Sequence, residues 1–232
     1  EVPQDISMAQ SDMPPYYKTR RVRFGPDPDD VDKSIELLQG AKRPLIYVGR
    51  GALWSGATDT LVKVAETYAL PVMATLPAKG AMPEDHPLCL GLGGYPRAVY
   101  STGQSRKFAD EADLVIALGC SFRQHATSSW LPKPANAKLV QVDIDAAELH
   151  KNYPADLVVL SDIQLFLRAL LAQGKEKLAA YRKGMATDVA AEIKELKAKW
   201  LDSWYPRLTS DEVPMSPYRA CWDLTHQLDA KK

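Results

Sequence analysis

The stretch PLIYVGRGALWSGATDTLVKVAETYA, residues 44–69, opens with a short apolar run, turns through Gly49, Gly51 and Gly56, and resumes with apolar residues at helical spacing. Pro44 to Val48 has the apolar, partly β-branched composition of a strand buried on both faces, as strands of parallel sheets are. Leu61, Val64, Ala65 and Tyr68 recur at the three- and four-residue intervals of one helical face, with Ser55 placed to cap the helix and Asp59 in its first turn. The unit is strand, glycine turn, helix. Its glycines are spaced G-x-G-x-x-x-x-G, which is neither the dinucleotide fingerprint nor a Walker loop, because no Lys-Ser/Thr pair follows Gly56. Two readings stay open: the bare backbone approaches a ligand, or Gly49 and Gly51 only permit a sharp turn.

The same alternation extends in both directions. Upstream, Asp29 and Asp30 precede VDKSIELLQG, in which Val31, Ile35 and Leu38 share a helical face that Gly40 ends. Downstream, PVMATL (71–76) reads as a strand, residues 77–96 as a Gly- and Pro-rich loop, SRKFADEA (105–112) as a helix and DLVIALG (113–119) as a buried strand. After an irregular loop, KLVQVDID and DLVVLSD supply two more strands around a short helix at 146–150, and IQLFLRALLAQG closes the unit with a helix. Strands alternating with helices and lacking hairpin turns imply an α/β fold with a doubly wound, mostly parallel, Rossmann-like sheet and helices on both faces. The expected division is a linker at 1–26, a nucleotide-binding-like domain at 27–174 and a helical extension at 175–232. In that extension Leu178, Met185, Val189, Ile193, Leu196 and Trp200 form the apolar positions of a long charged helix interrupted near Gly184, and they pack either on this domain or on another.

In such sheets ligands lie beyond the carboxyl ends of the strands, so the residues there are the candidates. Thr75 and Leu76 end one strand. Gly119 ends another and leads into GCSFRQ, where backbone N–H groups and Arg123 point at an anion or Arg123 is a solvated loop charge. Cys120 has no neighbouring base in sequence and reads as a small buried residue. Asp143, at the end of KLVQV, is placed to accept ribose hydroxyls, whereas Asp145 stands three residues before Glu148 and reads as a helix cap. Asp162 fits either role.

Composition excludes several classes. Twenty-nine basic residues balance twenty-nine acidic ones, so no global field draws the chain to nucleic acid or an anionic membrane. The basic cluster KTRRVR (18–23) is short and is followed by DPDDVD, the pattern of a solvated linker. No apolar stretch approaches the roughly 20 residues of a membrane span. Cys89, Cys120 and Cys221 are far apart and odd in number, which favours reduced thiols and a cytoplasmic setting. His86, His125, His150 and His226 have no metal-binding spacing, and no G-x-S-x-G elbow occurs, so no metal site and no catalytic residue are assigned.

EVPQDI (1–6), RPLIYVGRGA (43–52), LPVMATLPAKGAMPEDHPLCLGLGG (70–94), ADLVIALGCSF (112–122) and KLVQVDIDAAELHKNYPADLVVLSD (138–162) together resemble the central domain of thiamine-diphosphate-dependent enzymes, closest to the acetohydroxyacid (acetolactate) synthase group. The resemblance implies a parent that acts on a 2-oxo acid or acyl donor by decarboxylation or carboligation. Its thiamine diphosphate and Mg2+ would lie in pyrimidine- and diphosphate-binding domains outside this chain, and the parent would be a homodimer or tetramer. By matching motifs, FAD or ADP would be contacted by Gly51, Thr75, Leu76, Gly93, Gly94, Gly119, Ser121, Phe122, Asp143, Ile144, Asp162 and Ile163. Two departures fall in the flavin half: GGYPRAVY stands where the synthases have a Gly-Met-His-Gly loop, and SFR where they have Arg-Phe-Asp. MSPYRACWDLTHQLD resembles the entry to the third domain, with Ser216 and Pro217 suited to open a helix. This makes the chain an excised middle domain that is inactive alone. The rival readings are an autonomous enzyme using NAD or ADP-ribose, with His125 as its candidate base, and a structural module with no ligand.

Overall fold

The computed structural model describes residues 3–10, 17, 22–178 and 180–228. Most of KTRRVR and the first two residues of EVPQDI lie outside them. A short helix, α1 (Gln4–Met8), lies within the expected linker. Helix α2 (Pro28–Gly40) starts earlier than the two acidic residues imply: Asp27 caps it by accepting from the Asp29 amide at 2.9 Å, and Pro28 takes the first turn, where a missing N–H costs nothing.

Six strands follow: β1 (Pro44–Val48), β2 (Val72–Ala74), β3 (Cys89–Leu92), β4 (Leu114–Leu118), β5 (Lys138–Asp143) and β6 (Leu157–Leu160). All pair in parallel, in the order β3-β2-β1-β4-β5-β6. This is a doubly wound sheet whose strand order reverses between β1 and β4. Every residue of those two strands is buried, as expected of strands covered on both faces. Helices α2, α3 (Arg50–Ser55), α4 (Thr58–Tyr68) and α6 (Ile163–Lys177) form one packed group, and α5 (Gly103–Glu111) with α7 (Ala186–Leu208) a second.

Three sequence expectations change. Ser55 caps nothing: residues 50–55 form a helix of their own, Ser55 donates to the Ala52 carbonyl at 3.1 Å, and Gly56 at φ +69° ends that helix. The loop assigned to 77–96 contains β3, which completes the edge of the sheet. The segment expected as a helix at 146–150 is one 3-10 turn, Ala146–Glu148.

The extension packs on this domain's own core. Leu178, Val189 and Ile193 are buried, and Leu196 packs against them, while Met185 is exposed. Between α6 and α7 the chain turns through Gly184 at φ +82°. Arg182 pins this break by donating to the carbonyls of Ala69 at 3.0 Å and Lys42 at 3.0 Å. Ser216 caps α8 (Pro217–Gln227) through the Tyr218 amide, with Pro217 in the first turn.

Candidate functional site

Because all six strands run the same way, their carboxyl ends share one edge, and the loops there stand in strand order: Gly93 and Gly94, Thr75 and Leu76, Gly49 and Gly51, Gly119 and Ser121, Asp143 and Ile144, then Asp162. The sheet's hydrogen bonding runs one residue past the strands. Amides of Gly93, Thr75, Gly49, Gly119 and Ser161 donate to the carbonyls of Ala74, Val48, Leu118, Val142 and Asp143, at 2.8–2.9 Å. Thus the row of candidates is aligned, and much of its backbone is already paired.

The glycines meet protein on the side where other residues carry Cβ. A Cβ on Gly49 would lie 1.9 Å from the Gly119 carbonyl oxygen, and one on Gly51 2.8 Å from the Gly119 Cα. Gly119 itself has φ +65° and faces the Gly51 Cα. At the point where strand order reverses, the β1 and β4 loops touch backbone to backbone. Gly93 is pressed against Met73 and Ser105, and Gly94 against the Ala126 carbonyl, with its amide donating to Ser101 Oγ at 3.2 Å.

The side chains divide into open and enclosed. Leu76 and Ile144 are exposed. Phe122, at φ +45°, is buried with its ring 5.9 Å from that of Tyr47 and 5.4 Å from that of Tyr153. Ile163 belongs to the core, and the Ser121 carbonyl accepts from Asn152 at 2.8 Å. Cys120 is buried, donating to the Tyr47 carbonyl at 3.3 Å, and burial pushes its thiol well up, away from the reactive thiolate.

Three carboxylates have distinct duties. Asp145 accepts from Ala147 N at 2.9 Å, the expected cap. Asp162 caps α6 through Leu165 N at 3.2 Å, and its second oxygen lies 3.8 Å from Arg23 Nε of the linker. The linker is fastened there as well, since Asp162 N donates to the Phe24 carbonyl at 3.0 Å. Asp143 is half-buried and accepts from Asp145 N at 3.0 Å; burial raises its pKa above the ordinary 3.8, against the pull of the Asp145 and Ile144 amides. Of the two carboxylates read as ligand-binding, only Asp143 is without a capping duty or an ion pair to the linker.

Sequence reading passed over Gln141, which is buried in β5 and bonds the Glu148 carbonyl at 2.8 Å and the His150 amide at 3.0 Å, thereby shaping the loop beyond Asp143. A glutamine inside the apolar run KLVQV is the signal, because a buried amide needs partners. Also passed over was the aromatic cover of Tyr47, Tyr95 and Tyr153. The hydroxyls of Tyr47 and Tyr95 make no well-formed hydrogen bond among the described residues.

A groove of about 550 Å³ lies at the opposite, amino edge, lined by Gly40, Asp113, Lys138 and Asp156 among others. Two of its carboxylates have structural work: Asp113 accepts from the Lys42 and Arg43 amides, and Asp156 from the Leu139 amide. No group of three or more metal-ligating side chains occurs among the described residues, and none of their helices is long and apolar enough to cross a membrane.

The family described as thiamine pyrophosphate enzyme, central domain, matches residues 31–170. A protein of Methanocaldococcus jannaschii named as an acetolactate synthase large subunit is 32% identical across 99% of this chain and 38% of its own length. An acetolactate synthase of Arthrospira platensis is 29% identical across 98% of this chain and 39% of its own. The chain therefore spans about two-fifths of these relatives. Among solved structures, a thiamin diphosphate-dependent enzyme from Mycobacterium smegmatis matches with a TM-score of 0.55 at 25% identity over 70% of this chain and 30% of that one. Benzoylformate decarboxylase from Polynucleobacter necessarius matches with a TM-score of 0.52 at 27% identity, over the same shares.

Proposed function

The chain belongs to the family of thiamine pyrophosphate enzyme central domains, and from that premise we propose that it is the middle domain of a longer enzyme acting on a 2-oxo acid or acyl donor by decarboxylation or carboligation. The observation that carries this reading is alignment over 99% of the chain with only 38% of a protein named as an acetolactate synthase large subunit. Thiamine diphosphate, held with Mg2+ by the parent's other domains, would supply the carbanion chemistry. The residues of this chain position those domains in a cytoplasmic dimer or tetramer: the linker is tied to β6 through Phe24 and Ser161, and the far end leaves through the capped helix α8. The test is CO2 release from a panel of 2-oxo acids by the full-length parent. Release that depends on added thiamine diphosphate is expected; turnover by the 232-residue chain alone would overturn the reading in favour of an autonomous enzyme.

A second role, retention of an ADP-containing ligand at the carboxyl edge, is favoured by Asp143, a half-buried carboxylate at the end of β5 with no capping duty. A ligand at a hundred times its dissociation constant adds about 2.7 kcal/mol of stability, so ADP should raise the melting temperature and Asp143→Ala should reduce that rise. No rise with ADP leaves the domain a scaffold only.

A further inference from the structure

A flavin is the group that the fold family implies at this edge, and the residues present do not fit one. A diphosphate and a flavin ring laid along Gly51, Gly93, Gly94 and Gly119 need free backbone N–H donors, or backbone bared by the missing Cβ. Neither is open. The four amides donate within the protein: Gly51 to the Gly119 carbonyl at a long 3.4 Å, Gly93 to Ala74 at 2.9 Å, Gly94 to Ser101 Oγ at 3.2 Å and Gly119 to Val142 at 2.8 Å. The space beside each Cα is filled too, since a Cβ at any of the four would lie 2.2–2.8 Å from another protein atom.

Of the two departures, GGYPRAVY supplies part of that filling through Ala98, whose Cβ would lie 2.4 Å from one on Gly94, and SFR keeps the phenylalanine of Arg-Phe-Asp in the buried layer. Tyr95 is buried, with its amide near the Tyr47 hydroxyl. Phe122 lies between Tyr47 and Tyr153 and not against the open edge. Ala126, in the 3-10 turn Gln124–Ala126, places its carbonyl over Gly94. The Tyr47 and Tyr95 hydroxyls make no well-formed hydrogen bond among the described residues, as aromatic side chains packed chiefly for filling leave them.

We propose that the carboxyl edge of this domain is closed to a flavin, its glycines serving contact between the β1, β3 and β4 loops and the 120–137 loop. This rests on the central-domain reading and is independent of ADP, whose proposed contact is Asp143. The experiment is equilibrium dialysis of the full-length parent, purified without added flavin, against FMN, FAD and ADP separately. FMN, which offers the ring without the adenine half, is expected not to be retained. FAD is expected either to be absent or to bind no more tightly than ADP and to be displaced by it. FMN retained in stoichiometric amount, or FAD bound tenfold more tightly than ADP, would overturn the inference. Retention of no nucleotide at all supports closure and removes the ADP role. Failure of thiamine-dependent turnover removes the proposed reaction while the FMN result still reports on the edge. As a second measurement, Gly94→Ala should lower the melting temperature equally with and without FAD; an unchanged melting temperature together with lost FAD retention would show an open cradle and sink the proposal.

Discussion

Gly119 and Gly56 have nearly the same backbone conformation, φ +65° and +69°, in different surroundings. A Cβ at Gly56 meets nothing within 4 Å, whereas at Gly119 it would lie 2.6 Å from the Gly51 Cα. Gly56→Ala should therefore cost only left-handed strain, roughly 1–2 kcal/mol. Gly119→Ala adds a backbone collision that no rotamer relieves, and overpacking of about 1–3 kcal/mol comes on top. Urea midpoints of the two variants measure the difference, and equal losses would refute the close contact between the loops. Asp143 offers a test of opposite character. Its folded pKa is raised, so the folded state holds the proton more tightly; this contribution is complete below the unfolded value near 3.8 and is lost as pH rises through the higher folded value. Asp143→Asn keeps an acceptor for the Asp145 amide and removes the buried charge. It should be more stable than the parent at neutral pH, with the gap closing in acid.

Among the elements, α7 shows how much of its place depends on few contacts. Val189 and Ile193 are buried against the core, Trp200 lies over Gly103 at the start of α5, and Arg43 grips Glu192 through two 2.9 Å hydrogen bonds while stacking on Phe108. Ile193→Ala should cost about 2–5 kcal/mol, as deletions of buried aliphatic side chains do. Arg43 holds the Glu192 carboxyl below its ordinary value, so its contribution is present above the unfolded pKa and fades as pH falls through the lower folded one. Glu192→Gln should be less stable than the parent at neutral pH and equal to it in acid, the reverse in sign of Asp143→Asn; denaturation curves along a pH series read both. The elements legible in sequence were those whose signal is local. The apolar runs of β1, β4 and β5, the spacing in α4 and α6, and the Ser216-Pro217 start of α8 need only neighbours to be recognised. Strand β3, four residues with Gly91 inside, carries no such signal and exists because the edge of β2 offers a partner. The contact between Gly51 and Gly119 is hidden for the same reason: each fills the space beside the other from 68 positions away in sequence, across the sheet.

For the whole molecule, the strand order aligns the candidate loops on one edge, and the chain's own loops crowd its glycines while Leu76, Asp143 and Ile144 stay accessible. A catalytic centre needs a nucleophile, base or cofactor held in reach of substrate. Here Cys120 is buried with a raised pKa, and Asp162 and Asp145 are occupied as caps. In the role proposed above, the sheet would hold neighbouring domains in place, with Phe24 tied to Asp162 and Ser216 capping α8. The isolated 232-residue chain, supplied with thiamine diphosphate, Mg2+ and a 2-oxo acid, should release CO2 no faster than buffer, while the full-length parent turns over. Loosening the scaffold inside the parent should then act at a distance. Gly119→Ala touches no cofactor of the proposed reaction, so at temperatures where the variant stays folded its turnover should remain close to that of the parent, and it should inactivate at a lower temperature. A large fall in turnover by a fully folded Gly119→Ala parent would place this edge in the reaction itself and contradict a purely supporting role.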